Sequence, residues 1–323
     1  MTASNLDLKK TLEDIGRGDT IDEQIVVAIL MKLMELLYKE RNVLLLQSPI
    51  IICGDIHGQL DDLLQLFEEA GDKFTDQFLF MGDYVDRGYH SLNTFLYLVV
   101  LKLINPSKFH MLRGNHETRQ VSQMYGFYNE CILNYGHAGI WNLCNAAFDL
   151  LPMAALIDHD VFSVHGGLSP DLPLIEMISL YDRQDELPSS GPLCDLCWSD
   201  PEDVKKWRQN QRGAGYFFGE NEVTRFNLLN NISLVTRSHQ LVLEGSKFYF
   251  PARENEPKKS GSCDEGRLVT IWSAPNYSYR SNNKASIMKY KFDGCPTYNI
   301  ITFNANEVRI KPQHMPVTSH YFA

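Results

Sequence analysis

Three short turns in this chain concentrate side chains that bind cations. Gly54-Asp55-Ile56-His57-Gly58 follows Ile50-Ile51-Ile52, and Gly82-Asp83-Tyr84-Val85-Asp86-Arg87-Gly88 follows Phe78-Leu79-Phe80-Met81. Arg113-Gly114-Asn115-His116-Glu117 follows the apolar run at 109–112. Each run reads as a buried strand that ends in a glycine-bounded turn. Two later histidines share that context: His165 after residues 161–164, and His239 after residues 234–236. Asp55, His57, Asp83, Asn115, His165 and His239 offer carboxylate, imidazole and amide donors without a thiolate. That set suits Mn, Fe or Zn and disfavours a structural zinc built on cysteine. Six donors are too many for one tetrahedral ion, but they suit two ions about 3.5–4 Å apart that share a carboxylate. Asp83, on the middle turn, is the expected bridge. Asp55, His57 and Asp83 are assigned to one ion, and Asp83, Asn115, His165 and His239 to the other.

Two adjacent cations lower the pKa of a shared water from 15.7 towards ~7, giving a bridging hydroxide at neutral pH. A phosphate ester is the electrophile that gains most from such a site, because guanidinium groups can clamp its oxygens. Arg87 lies four residues past Asp83. Arg212 sits in Gln211-Arg212-Gly213-Ala214-Gly215-Tyr216, where two glycines allow close backbone approach. His116 follows a ligand directly and is expected to protonate the leaving alkoxide, with Asp86 holding its ring. Tyr277 is expected to line the phosphate pocket. The pair Cys194 and Cys197 has metal-site spacing but no second pair, and its apolar neighbours favour packing.

These turns need a scaffold. Apolar residues at helical spacing mark helices over 20–40, where Thr20 and Glu23 have capping-box spacing, over 59–70, and from Ser91 to the break at Pro106. Further helices are expected at 117–134 and 138–150. Strands alternate with them at 49–53, 78–81 and 109–112. That order predicts an α/β layered fold with ligand groups at the carboxyl ends of strands. The second half is more strand-like, with runs at 161–164, 234–236 and 268–272 and two strands within 286–303. Residues 1–310 read as one catalytic domain. Residues 311–323 read as a flexible tail, and 251–266 as a loose insertion.

Lys+Arg number 30 against 40 Asp+Glu, so the chain carries a net charge of −10. Such a chain is not expected to bind nucleic acid or an anionic membrane. No apolar run approaches the roughly 18 residues of a membrane helix. The seven scattered cysteines suit reduced thiols and a cytoplasmic or nuclear location.

With these motifs placed, the chain resembles the phosphoprotein phosphatase family of metal-dependent serine/threonine phosphatases. The three turns match that family's signatures. So do Tyr125-Gly126-Phe127-Tyr128, His165-Gly166-Gly167-Leu168-Ser169-Pro170, Trp198-Ser199-Asp200-Pro201, the Arg212 block and Ser273-Ala274-Pro275-Asn276-Tyr277. The similarity runs from about residue 20 to 305. It points to the type 2A group, with types 4 and 6, through Gly191-Pro192-Leu193-Cys194-Asp195-Leu196, residues 239–245 and Tyr321-Phe322. The resemblance implies a calcineurin-like metallophosphoesterase fold, a two-sheet β-sandwich flanked by helices in four layers. It implies phosphorylated protein substrates and regulatory subunits, a helical-repeat scaffold among them. It also implies contact of Asn115 and both arginines with phosphate. A second reading keeps the dinuclear chemistry but applies it to a small phosphoester or a dinucleoside polyphosphate. Two departures stand out. The chain ends in Ala323 where type 2A enzymes carry a methyl-esterified leucine. Ser278 and Ser281 occupy the loop where the family holds a toxin-alkylated cysteine, so reversible toxin binding is expected.

Overall fold

In the computed structural model, which describes residues 6–251 and 265–310, two β-sheets stack face to face. One has six strands in the order Val43–Leu46, Ala154–Ile157, Val161–Val164, Leu234–Arg237, Leu268–Ile271 and Ser246–Tyr249. The other has five, in the order Pro296–Phe303, Ala285–Phe292, Ile50–Cys53, Phe78–Phe80 and Phe109–Met111. Side chains alternate across each strand. Ile50, Ile52, Leu79 and Met81 therefore meet Ala155, Ile157, Val161, Val269 and Ile271 between the sheets. Ile51, Cys53, Phe78 and Phe80 face the other way, into a core shared with the helices Glu23–Leu37, Leu60–Ala70 and Ser91–Ile104. On the far side, Phe162, Val164 and Val235 pack against Ile175, Leu196, Val223 and Phe226. The result is helices, sheet, sheet, helices. Burial on both faces explains why these strands read as unbroken apolar runs rather than alternating ones.

Register sets the position of the site. Ile50–Cys53, Phe78–Phe80 and Phe109–Met111 run parallel, with Cys53 opposite Phe80 and Phe80 opposite Met111. Their following turns therefore emerge side by side, and the Asp83 turn lies in the middle. In the other sheet, Leu234–Arg237 runs parallel to both Val161–Val164 and Leu268–Ile271. That brings the turns that carry His165 and His239, directly after these strands, out together.

Several local expectations need correction. The second helix begins at Glu23 and is capped by Asp22, whose side chain accepts from the Gln24 N–H at 2.9 Å. The Thr20 and Glu23 box starts too early, because Glu23 is the first helical residue rather than the third. The expected helix at 117–134 is two, Arg119–Met124 and Phe127–Tyr135, interrupted where Gly126 takes φ 126°. The break frees the Tyr125 carbonyl to accept from the Arg87 N–H at 3.0 Å. The structure adds the helices Leu8–Gly16, Pro192–Trp198 and Glu220–Asn230 and the strands Val43–Leu46 and Ala154–Ile157 to those expected from the sequence. Cys194 and Cys197 are buried in Pro192–Trp198, in line with the packing expectation. The 251–266 segment falls between the paired strands Ser246–Tyr249 and Leu268–Ile271. Most of it lies outside the described residues, as do 311–323 and the C-terminal Tyr321-Phe322-Ala323.

Candidate active site

Asp83 stands at the centre. It adopts a left-handed backbone, with φ 54°. Its N–H donates to Glu117 Oε2 at 2.7 Å, and its Oδ1 accepts from the His116 N–H at 2.9 Å. Gly114 must be glycine here, because a Cβ would lie 2.3 Å from Asp83 Oδ1. The two Asp83 oxygens face opposite ways. Oδ2 lies 3.5 Å from His57 Nε2, while Oδ1 lies 3.4 Å from His165 Nε2. Donor atoms of His57, Asp83 and His116 fall within 4.8 Å of one another, and so do those of Asp83, His165 and His239.

The imidazoles are oriented by backbone carbonyls. His57 Nδ1 is 3.0 Å from Val85 O, and His165 Nδ1 is 2.9 Å from Met81 O. A carbonyl only accepts, so each Nδ1 carries the proton and each Nε2 turns its lone pair inward. There the lone pairs meet other acceptors. His57 Nε2 faces Asp55 Oδ2 at 3.5 Å, and His165 Nε2 faces Asn115 Oδ1 at 2.9 Å. Asp55 Oδ2 and His239 Nε2 are buried without a hydrogen-bond partner among the described residues. Buried acceptors converging without donors are costly unless a cation or proton sits among them. The electrostatics agree. Burial opposes charge on His165, but Asp83 outweighs it and holds the ring up to about 9. Burial likewise opposes charge on Asp83, yet His165, His116 and His57 hold it well below the carboxylate range. His239 is pushed down, first by burial and then by Arg212. The donor set therefore fits divalent cations: oxygen and nitrogen atoms, no sulfur, two clusters sharing Asp83.

Around this centre stand the other expected residues. His116 Nδ1 is 2.7 Å from Asp86 Oδ2, so its Nε2 points inward, 3.9 Å from Asp83 Oδ2. Asp86 Oδ1 accepts from the Phe127 N–H at 3.0 Å, which fixes the carboxylate. Arg87 lays its guanidinium 4.1 Å over the Tyr125 ring and leaves Nε without a hydrogen-bond partner among the described residues. Arg212 and Tyr125 line the same cleft of about 290 Å³. The Arg212 side chain is 41% exposed, and its Nε donates to Asp200 at 2.9 Å. The Tyr277 ring lies 5.0 Å from His57.

A family model described as calcineurin-like phosphoesterase matches residues 48–243. The chain belongs to that family. Among curated phosphoesterases it is 44% identical over 302 residues to the serine/threonine-protein phosphatase 4 catalytic subunit of Kluyveromyces lactis, covering 94% of this chain and 93% of that one. It is 45% identical over 295 residues to the Saccharomyces cerevisiae protein of the same name, covering 91% of each. Among solved structures, a Saccharomyces cerevisiae protein serine/threonine phosphatase with similarity to human phosphatase PP5 superposes with TM-score 0.83 at 29% identity. That match covers 96% of this chain and 99% of the other. A cold-active protein tyrosine phosphatase shares the fold at TM-score 0.56 and 14% identity.

Four contributors to this phosphoesterase site carried no chemical reading in the sequence. Glu117 binds the N–H groups of Asp83, Tyr84 and Gly114. Burial, then the nearby Asp83 charge, pushes its carboxyl up to about 8. Ser238 Oγ accepts from the Asp55 N–H at 2.9 Å and lies 2.5 Å from Asp55 Oδ1, joining the two sheets. Asp200 takes Arg237 on one oxygen and Arg212 on the other, each at 2.9 Å. Arg237, fully buried, also donates to Gly166 O at 2.6 Å, beside His165. Each is a polar residue inside an apolar run or a loop. In the sequence Glu117 stands at the end of the Arg113–Glu117 turn, Asp200 within the Trp198–Pro201 block and Arg237-Ser238 beside His239, each as context for other residues.

Proposed function

We propose that this chain is a serine/threonine protein phosphatase that hydrolyses phosphoserine and phosphothreonine esters in one displacement. The observation that carries the proposal is the divided Asp83 carboxylate, with one oxygen turned to each cluster of donors. Asp55, His57 and Asp83 would hold one divalent ion, and Asp83, Asn115, His165 and His239 the other. Such ions, manganese by this donor set with iron or zinc also fitting, supply an acidified water and neutralise phosphoryl charge. The chain's own residues do the rest. Arg87 and Arg212 grip the phosphoryl oxygens, and Asn115 and Tyr277 also contact the phosphate. Water oxygen bonds to phosphorus as the ester oxygen leaves. His116 gives its Nε2 proton to that departing serine or threonine oxygen, and Asp86 stabilises the ring through Nδ1.

The two yeast relatives, matched over more than nine-tenths of this chain, favour a protein substrate over a dinucleotide. Their names call them catalytic subunits, and we assign substrate choice to partners, including regulatory subunits and a helical-repeat scaffold. The seven cysteines support a reducing compartment, the cytoplasm and also the nucleus. In water enriched with oxygen-18, a single turnover on a phosphothreonine peptide should place label in the released phosphate. Label in the peptide hydroxyl, or hydrolysis confined to a dinucleoside polyphosphate, would overturn the reading.

A further inference from the structure

Residues 306–310 lie across the first turns of two helices, Leu60–Ala70 and Ser91–Ile104, which directly follow the Gly54–Gly58 and Gly82–Gly88 turns. The Asn306 N–H donates to Asp62 Oδ1 at 2.9 Å, and the Ile310 N–H lies 3.1 Å from both Asp61 oxygens. His90 Nε2 is 3.0 Å from the Ile310 carbonyl. Between these anchors, Arg309 Nη1 binds Asp62 Oδ2 at 2.5 Å, and its guanidinium stands 5.0 Å over the Tyr279 ring.

Tyr279 belongs to the loop that presents Tyr277. Its ring stacks on Tyr89 at 4.1 Å, and its hydroxyl accepts from the Tyr89 N–H at 3.1 Å. Tyr89 lies two residues past Arg87. Asn276, Ser278, Tyr279 and Asn282 all hold left-handed φ values between 42° and 60°. Non-glycine residues keep such a backbone only where their surroundings enforce it. A second route reaches the same loop. Asp62 Oδ2 accepts from Gln59 Nε2 at 2.6 Å, and Gln59 binds Pro275 O at 2.8 Å and the Ser278 N–H at 3.3 Å. Arg309 thus touches, through Tyr279 and through Asp62, the segments carrying Tyr277, Arg87 and His57.

We infer that Arg309 is a positioning residue for phosphate binding, clamping the Tyr277 loop against the turn that carries Arg87. The inference rests on the phosphatase reading above. Its test uses the full chain, Arg309→Ala and Arg309→Lys, a phosphothreonine peptide, and inorganic phosphate as a competitive inhibitor. For Arg309→Ala, KM and the phosphate inhibition constant should rise together, roughly three- to tenfold, the scale of one cation–π contact with an ion pair. Metal content and kcat should stay within about twofold of the unaltered chain, since the clamp touches no donor atom. Arg309→Lys should recover part of the loss. In a Tyr277→Ala background, Arg309→Ala should add nothing, because its effect passes through that loop. An unchanged KM and inhibition constant, or the same rise in both backgrounds, would overturn the clamp. Should Arg309→Ala not fold, Tyr279→Leu must give the same rise, and no rise would overturn it equally. If the unaltered chain failed to turn over the peptide, the phosphatase reading would fall instead. Calorimetric phosphate binding would then still decide the role of Arg309.

Discussion

The five-stranded sheet delivers Asp55, His57, Asp83, Asn115 and His116 from three turns, whereas the six-stranded sheet delivers His165 and His239 from two. The first group is held mainly by backbone. His57, Asp83, Asp86 and Arg87 all have φ between 50° and 72°, and Glu117 gathers three N–H groups beneath them. The second group, although His239 also holds φ 66° and His165 Nδ1 meets Met81 O, adds a side-chain charge network. Arg237 is buried against Gly166 O and Asp200, and Asp200 reaches out to Arg212. Backbone strain places a donor within a few residues of its strand. A charge network can tie together residues forty positions apart, and it adds the cost of desolvated ions. The first side should therefore fail locally when altered, and the second should lose stability and phosphate grip together.

The sharpest break in this contrast is Asp83, whose two oxygens each face one cluster. Asp83→Asn keeps the shape but removes the charge that holds His165 up and faces His57. We expect turnover of a phosphothreonine peptide to drop on the order of 10³-fold or more, beyond the 10–100-fold typical of an outer partner. Metal content, measured on the purified chain, should fall in parallel. Retention of two ions with full turnover would make Asp83 a structural residue and dissolve the comparison.

Asp200→Asn tests the second side. Arg237 would lose the carboxylate that compensates its fully buried charge, and breaking such a pair costs about 3–5 kcal/mol. Chemical unfolding should report that loss. KM should rise as Arg212 loses its anchor, while His116 and the turn side keep their geometry and kcat falls less than tenfold or so. Loss of kcat without loss of stability would mean that Asp200 acts on the chemistry directly, and that the two sides are not built differently.

The same contrast explains what could be read in advance. The turn side was legible because backbone-held donors must cluster in sequence: two ligands within Gly54–Gly58, one beside His116, all after apolar runs. His165 and His239 were legible only as histidines after strands. The network that fixes them was not, because Asp200 and Arg237 meet through the fold, 37 residues apart, and nothing local marks a buried ion pair. Secondary structure divided likewise. Strands buried on both faces announced themselves as apolar runs. Val43–Leu46 and Ala154–Ile157 are as short, but no ligand-bearing turn follows them. The break at Tyr125-Gly126 was lost inside a continuous helical pattern. It is needed by a contact to Arg87, which sits 38 positions earlier in the chain, and a periodicity cannot register such a demand.

A buried histidine away from both sides calibrates how much the carboxylates do. His110, on the outermost strand of the five-stranded sheet, is 8% exposed, and its Nε2 has no hydrogen-bond partner among the described residues. Burial, then the charge of Lys102, lowers its pKa from 6.5 to about 4. His165, buried more deeply still but facing Asp83, moves the other way. For His110 the unfolded chain takes up a proton below pH 6.5 that the folded chain refuses until about pH 4. Its stabilising share is therefore whole above 6.5 and is lost as pH falls through that window. The full loss is about 3 kcal/mol by linkage. His110→Leu removes the proton acceptor. The stability difference between His110→Leu and the unaltered chain, followed by urea unfolding from pH 7 to 4, should shift in favour of the variant by up to that amount. A difference that stays flat across the window would mean that His110 protonates in the folded state. Burial and the Lys102 charge would then not depress this histidine, and the opposite shifts of His110 and His165 could no longer be read as the contribution of Asp83.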